Sequence, residues 1–187
     1  MPVEVSMIQR RRAGGDTMMA LAVVVLSCWG LPAAAQSPIS LGLGGGMTLP
    51  TGELETRLER GYHGLATLRL GVPLVPVHLR ADASYGLMSD RSEAGNGLMV
   101  TAITGNLGYD VVPLGLAAVY VVGGGGYYWT EMEAAGAARA GNVGWNAGAG
   151  FRVSLGALRL FAETRYHTVR LDGGDAHFIP VTVGIFF

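Results

Sequence analysis

From Ser40 onward the chain alternates apolar side chains with small or polar ones, in segments of about ten residues. A period of two marks an extended strand whose successive side chains point to opposite faces. In the first segment, Ser40 to Leu49, the residues Leu41, Leu43, Met47 and Leu49 share one face, and Ser40, Gly42, Gly44, Gly46 and Thr48 share the other. The segment Gly64 to Val72 sets Ala66, Leu68, Leu70 and Val72 against Thr67, Arg69 and Gly71. The third is the sharpest, with Val77, Leu79, Ala81, Ala83, Tyr85 and Leu87 opposite His78, Arg80, Asp82, Ser84 and Gly86. The fourth places Met99, Thr101, Ile103, Leu107 and Tyr109 away from Thr104, Asn106, Gly108 and Asp110. The sixth sets Val143, Trp145, Ala147, Ala149, Phe151 and Val153 against Asn146, Gly148, Gly150 and Arg152. The seventh sets Leu158, Leu160, Ala162, Thr164 and Tyr166 against Arg159, Glu163, Arg165 and His167, and the eighth runs from Phe178 to Phe187. The fifth, about Leu116 to Trp129, is apolar on both sides and includes Gly123 to Gly126, so the pattern leaves its facing open.

The connections alternate too. Thr51–Gly61, Ser89–Gly97, Thr130–Asn142 and Leu171–His177 are long and polar, whereas Pro73–Pro76, Val112–Gly115 and Ser154–Gly156 are short turns. Antiparallel strands that cross a slab, with long loops at one rim and tight turns at the other, produce this asymmetry, as outer-membrane barrels do. A tilted membrane-crossing strand needs about 9–11 residues, which fits these segments. An open sheet edge in hydrocarbon would leave backbone groups unpaired, so the sheet must close. The expected fold is all-β: an eight-stranded antiparallel up-and-down transmembrane β-barrel.

A soluble lipocalin-like carrier would alternate in the same way, with its apolar face inward. Side-chain size separates the two. The polar faces are mostly Gly, Ser, Thr and Asn with isolated charges, too small and sparse for the outside of a soluble protein but suited to a narrow lumen. The expectation is a self-neutralising interior network of Arg69, Arg80, Asp82, Asp110, Arg152, Glu163 and Arg165, centred on Arg80, Asp82, Glu163 and Arg165. Tyr62, Tyr85, Tyr109, Tyr127, Tyr128, Trp129, Trp145 and Tyr166 are expected to form two interfacial girdles.

Ahead of the strands, Arg10–Arg12, the apolar run Met18 to Trp29 and Ala33–Ala35 follow the order of a secretory signal peptide. The run is shorter than a spanning helix and is followed by Gly30 and Pro32. This divides the chain into a signal peptide, 1–35, and a barrel domain, 36–187, exported to a bacterial outer membrane. The single cysteine, Cys28, lies in the leader; lipidation there is the alternative, though Val25-Leu26-Ser27 fits a lipobox loosely. Beyond Ala35 there are ten basic and twelve acidic residues and no cysteine, so neither disulfides nor thiolate chemistry enter the expectation. All thirteen basic residues are Arg, and a formal net charge of −1 supplies no field for nucleic acid.

Candidate chemistry is sparse. His167 with Thr168 and Glu163, and His177 near Asp175, are the groupings to weigh as a catalytic site. A deacylase-like His-x-Ser would place its nucleophile where Val169 stands, and a histidine bonded to a carboxylate is the plainer reading of His167. His63 and His78 are isolated in sequence, and no spacing suits zinc. Gly42–Gly46 and Gly123–Gly126 precede no helix and no Lys, so close strand packing explains them better than phosphate loops. No enzyme, cofactor or metal is expected.

The chain ends in Phe187, with Ile185, Val183 and Val181 at alternate positions before it. This resembles the C-terminal signal read by the barrel-assembly machinery. The stretch GWNAGAGFRVSLGALRLFAETRYH is similar to the penultimate hairpin of the OmpA/OmpX-like small β-barrel family. The resemblance spans Ser37 to Phe187; the chain is expected to depart from full-length OmpA in ending at the barrel, with no periplasmic peptidoglycan-binding domain, so a cell-wall tether is not implied. The resemblance implies a lumen filled by side chains rather than an open pore. The expected function is structural or surface-interacting, the alternatives being a lipid A-modifying enzyme or a soluble carrier. The expected partners are outer-membrane lipid and lipopolysaccharide, the assembly machinery during biogenesis, and an unidentified ligand of the outer loops, with the barrel a monomer.

Overall fold

The computed structural model describes residues 38–72, 75–91, 97–114, 116–132, 140–171 and 173–187. The expected leader, its cleavage point after Ala35 and Cys28 lie outside the described residues. The strands are β1 (Ile39–Thr51), β2 (Gly61–Gly71), β3 (Val77–Met88), β4 (Leu98–Leu114), β5 (Ala117–Met132), β6 (Ala140–Leu155), β7 (Leu158–Leu171) and β8 (Gly174–Phe186). One short helix, α1 (Glu53–Arg57), stands between β1 and β2. Every strand pairs antiparallel with its neighbours in sequence, and β1 pairs with β8, so the sheet closes into a barrel.

The two faces of that sheet are inverted relative to a soluble protein. Leu43, Leu79, Ile103, Leu107, Val121, Phe151, Val183 and Ile185 are exposed, Ile103 by 57% and Val183 by 62%. Arg80, Asp82, Glu163 and Arg165 are each no more than 5% exposed. Water on that outer wall would make the barrel insoluble, whereas acyl chains make it the favoured face. Among the described strand residues, charges on the outward parity appear only near the loop end, at Glu131, Arg170 and Asp175.

Small residues admit large ones across the lumen. A Cβ on Gly108 would collide with the His78 ring, and one on Gly150 with the Tyr120 ring, so each glycine makes room for one inward ring on the neighbouring strand. Pro180 leaves a mark on the ladder. The β7–β8 register pairs Thr164 with Val181 and His167 with Phe178, but the two intervening pairs are absent, where Pro180 has no N–H to give.

Several expectations are corrected. The facing of β5 is resolved: Ala118, Tyr120, Val122 and Tyr128 point inward, and Val119, Val121 and Tyr127 outward. Tyr128 therefore belongs to no girdle; it is fully buried in the lumen. The remaining aromatics do not divide into two belts, because Tyr62, Tyr85, Tyr127, Trp129, Trp145 and Tyr166 gather toward the loop end and Tyr109 alone lies toward the turn end. The expected Leu171–His177 loop is largely strand, because β7 and β8 stay paired out to Leu171 and Gly174. β5 runs on to Met132 and β6 begins at Ala140, so strand takes up both ends of the expected Thr130–Asn142 loop, and β4 runs to Leu114 through most of the expected Val112–Gly115 turn, with a register shift between Asp110 and Val112. Thr51–Gly61 is not simply loop, since it holds α1.

Candidate functional site: the barrel lumen

The middle of the lumen is crossed by four charges. Arg80 Nη1 donates to Glu163 Oε2 at 2.6 Å and Arg80 Nη2 to Asp82 Oδ1 at 3.2 Å. Arg165 Nε donates to Glu163 Oε1 at 2.6 Å, and its Nη2 lies 2.8 Å from Asp82 Oδ2. Two guanidiniums and two carboxylates thus form a closed, neutral square contributed by β3 and β7. Their neighbours complete it: Tyr120 Oη donates to Glu163 Oε2 at 2.8 Å, and Asn106 Nδ2 to Asp82 Oδ2 at 2.9 Å. Burying four charges is tolerable because each is paired and further hydrogen-bonded; a lone one at this depth would be strongly unfavourable.

On the loop side of the square the lumen turns apolar. Met88, Leu98, Val100, Ala102, Tyr128, Val169, Ala176 and Phe178 cluster there with Leu58, and Leu54 of α1 and Leu171 pack against them. The first two outer loops are joined above this cluster. Leu58 bridges Asp90, Glu59 N–H donates to the Ser89 carbonyl at 2.8 Å, and Arg91 Nε to the Leu58 carbonyl at 3.1 Å. Between cluster and square sits a cavity of about 50 Å³ whose lining includes His63, Ser84, Tyr128 and His167. That is room for about three or four water molecules. His63 is held by Thr48 at 3.0 Å and Thr182 at 2.8 Å, and His167 Nδ1 by the Tyr128 hydroxyl at 2.9 Å.

On the turn side the lumen is cationic. Asp110 Oδ2 accepts from Arg152 Nη2 at 2.8 Å and lies 3.8 Å from Arg69 Nη2, and its Oδ1 is 3.8 Å from His78 Nδ1. Arg159 reaches only the Ser40 hydroxyl, at 2.9 Å.

The family model for the outer membrane protein beta-barrel domain matches residues 20–187. This chain belongs to that family. Among solved structures the barrel is similar to Neisserial surface protein A, NspA, at 11% identity and a TM-score of 0.66, covering 80% of this chain and 96% of that one. It is also similar to a major outer membrane protein from Thermus thermophilus, at 11% identity and a TM-score of 0.51, covering 80% and 98%. A third is Ail, the attachment invasion locus protein of Yersinia pestis, in complex with the heparin analogue sucrose octasulfate, at 10% identity and a TM-score of 0.50, covering 80% and 99%. At such identities the likeness is one of fold. No curated protein matches the sequence.

In this outer-membrane barrel the expected interior residues fall into two groups rather than one network. Arg80, Asp82, Glu163 and Arg165 form the square, and Arg69, Asp110 and Arg152 a separate cluster toward the turns. The second group does not neutralise itself, since two guanidiniums share one carboxylate, and Arg159 adds a third cation that the alternation places on this face without assigning it a role. Sequence alone also gives no role to Tyr120 and Asn106, which brace the square: Tyr120 lies on β5, whose facing the pattern leaves open, and Asn106 falls on the polar face of β4 with no partner indicated. Val181, Val183 and Ile185 lie on the outer wall, exposed to the membrane.

The groupings weighed as catalytic come apart. His167 faces the lumen and bonds Tyr128 rather than a carboxylate, while Thr168 lies on the opposite face of β7. Glu163 is committed to Arg80, Arg165 and Tyr120. Thr168 Oγ1 does meet His177 Nδ1 at 3.2 Å on the outer wall, but Thr168 is only 7% exposed and His177 is stacked on Tyr166. Among the described residues no group of three or more His, Cys, Asp or Glu is placed to hold a metal.

Proposed function

We propose that this outer-membrane barrel serves a structural or surface-interaction role and is not an open pore. The observation that carries the reading is the four-charge square across the mid-lumen, backed on the loop side by the apolar cluster around Tyr128 and Phe178. An ion crossing there would have to separate paired guanidinium and carboxylate groups or dehydrate against a greasy constriction, and both are costly. Within the membrane and outside the cell, what remains available to partners is the outer wall and the loop rim. The wall meets membrane lipid and lipopolysaccharide, and the barrel acts as a monomer. The rim, with α1 tied to the second loop, offers a fixed surface to a partner outside the cell. Val181, Val183, Ile185 and Phe187 are the stripe that the barrel-assembly machinery reads during insertion.

The test is conductance of the purified barrel in planar lipid bilayers, run beside protease shaving of intact cells. The expected result is no sustained open level, together with cleavage in the first or second outer loop. A stable conducting state would refute the closed-lumen reading, and loops protected on intact cells but cut after outer-membrane disruption would refute the surface role.

A further inference from the structure

The turn-side end of the lumen holds more positive charge than its surroundings compensate. Around it face Ser40 from β1, Arg69 from β2, His78 and Arg80 from β3, Asp110 from β4, Arg152 from β6 and Arg159 from β7. Arg80 is spoken for by the square. Of the remaining three guanidiniums, Arg152 holds Asp110 at 2.8 Å, Arg69 stands off at 3.8 Å, and Arg159 has a neutral hydroxyl for a partner. Among the described side chains, therefore, one carboxylate answers three arginines, with the main-chain carboxyl of Phe187, which accepts from Leu41 N–H at 3.1 Å, at the same rim.

The hydrogen bonding of the same spot is incomplete. Arg69 Nε, His78 Nδ1 and Asp110 Oδ1 are all buried without a hydrogen-bond partner. The His78 side chain is 1% exposed and the Asp110 side chain 18%, so the cluster is enclosed yet reached from the turn-side mouth. Like charges held together away from bulk water repel strongly, and the natural remedy is an anion that several guanidiniums grip at once.

We propose that this mouth is a phosphate-binding site formed by Arg69, Arg152 and Arg159. The planar guanidinium donates two parallel hydrogen bonds to a tetrahedral oxyanion, and three of them outmatch what a monovalent halide can use. In outer-membrane barrels the short turns lie on the periplasmic side, so the site opens to the periplasm. The phosphate group is either a free periplasmic phosphate or the headgroup of a phospholipid in the inner leaflet. Asp110 sets the affinity from within: it competes with the ligand for Arg152 and Arg69.

The experiment uses the full barrel purified in detergent without phosphate and titrates inorganic phosphate calorimetrically at fixed ionic strength, with chloride as the control. A saturable, single-site phosphate isotherm that chloride does not reproduce is expected. Arg159→Gln should weaken it by about tenfold, the loss of one charge-assisted contact. Asp110→Asn should tighten it, because it frees two guanidiniums. Arg159 is only half-buried, so its variant is expected to fold, and Arg159→Lys should restore part of the affinity. A diffuse positive field would give the same two signs, so Arg159→Lys is the variant that separates the readings: it keeps the charge and loses the paired donors, and full restoration of affinity would overturn a bidentate site. Equal binding of chloride, no isotherm, or shifts of the same sign in the two variants would overturn the proposal. Repeating the titration in a phosphate-free detergent with and without added phosphatidylglycerol identifies the source: competition by phosphatidylglycerol points to the lipid headgroup, and an unchanged isotherm to free phosphate.

Discussion

The mid-lumen square makes a quantitative prediction that a simpler picture of scattered interior charges would not. Glu163 accepts from three donors, Arg80 Nη1 and Arg165 Nε at 2.6 Å and Tyr120 Oη at 2.8 Å, and is only 5% exposed. Glu163→Gln removes its charge but keeps its shape, leaving two guanidiniums to share Asp82. Breaking one partner out of a buried ion pair costs about 3–5 kcal/mol, most of it from the charge left uncompensated. The Arg80→Gln variant should cost a similar amount, since it leaves two carboxylates facing Arg165 alone. The double variant is the decisive one. It leaves Arg165 and Asp82, already 2.8 Å apart, as one neutral pair, so its destabilisation should fall short of the sum of the two by at least about 2 kcal/mol. Urea unfolding of the vesicle-inserted barrel, followed by tryptophan fluorescence and by the heat-shift on gels, measures all three. Additive costs, or single variants within about 0.5 kcal/mol of the parent, would show that the four charges do not act as a unit.

The same geometry has other consequences. Ile103→Arg places a cation on the wall where the parent residue is 57% exposed to acyl chains, and should lower stability in vesicles by about 2–4 kcal/mol; an unchanged urea midpoint would mean that this face does not meet hydrocarbon. Gly144→Ala should destabilise by about 1–3 kcal/mol, because its Cβ would lie 2.7 Å from the Tyr128 ring, whereas Gly105→Ala, with no atom within 4 Å, should be nearly neutral; equal midpoints for the two would refute this packing. Phe187→Ala should slow insertion in cells while leaving refolding of the pure protein into vesicles unchanged, and equal rates in both settings would remove the residue's role as a signal.

What is legible in the sequence depends on whether two faces differ. Along β3 the contrast between Leu79, Ala81 and Ala83 and their neighbours Arg80, Asp82 and Ser84 fixes strand, phase and facing together, because a period of two has only one alternative register. Along β5 both faces are apolar: Tyr128 points into a lumen that is itself apolar on the loop side, while Ala118, Tyr120 and Val122 turn inward beside the charges, Tyr120 donating its hydroxyl to Glu163. A rule that assigns polar residues inward and apolar ones outward fails in that half of the barrel, and Tyr128 is misplaced for the same reason. The end of β7 is hidden by a different cue. The run Leu171 to His177 contains Asp172, Gly173, Gly174 and Asp175 and reads as a loop, yet cross-strand pairing continues through Arg170 and Asp175. Partner identity is equally hidden. Alternation puts Arg69, Arg80, Arg152 and Arg165 on one face, but which carboxylate each one meets depends on stagger around the barrel, and that is set by closure rather than by any single strand.

Closure also explains why the two ends of the lumen differ. The square closes the barrel near its middle, so the halves on either side are solvated independently. The loop-side half is covered in part by Leu58 and Leu54 of α1, and a covered space favours apolar lining because each polar group there would need a partner from the same small set. His63 and His167 obey that rule, finding Thr48, Thr182 and Tyr128. The turn-side half is reached from the mouth, so water and ions can complete Arg69 Nε, His78 Nδ1 and Asp110 Oδ1, which stand without partners there, as Asn142 Nδ2 and Asn146 Nδ2 do farther toward the loops. The loop-side half is therefore packed beneath the surface loops, and the turn-side half is where the proposed phosphate would find unpaired donors.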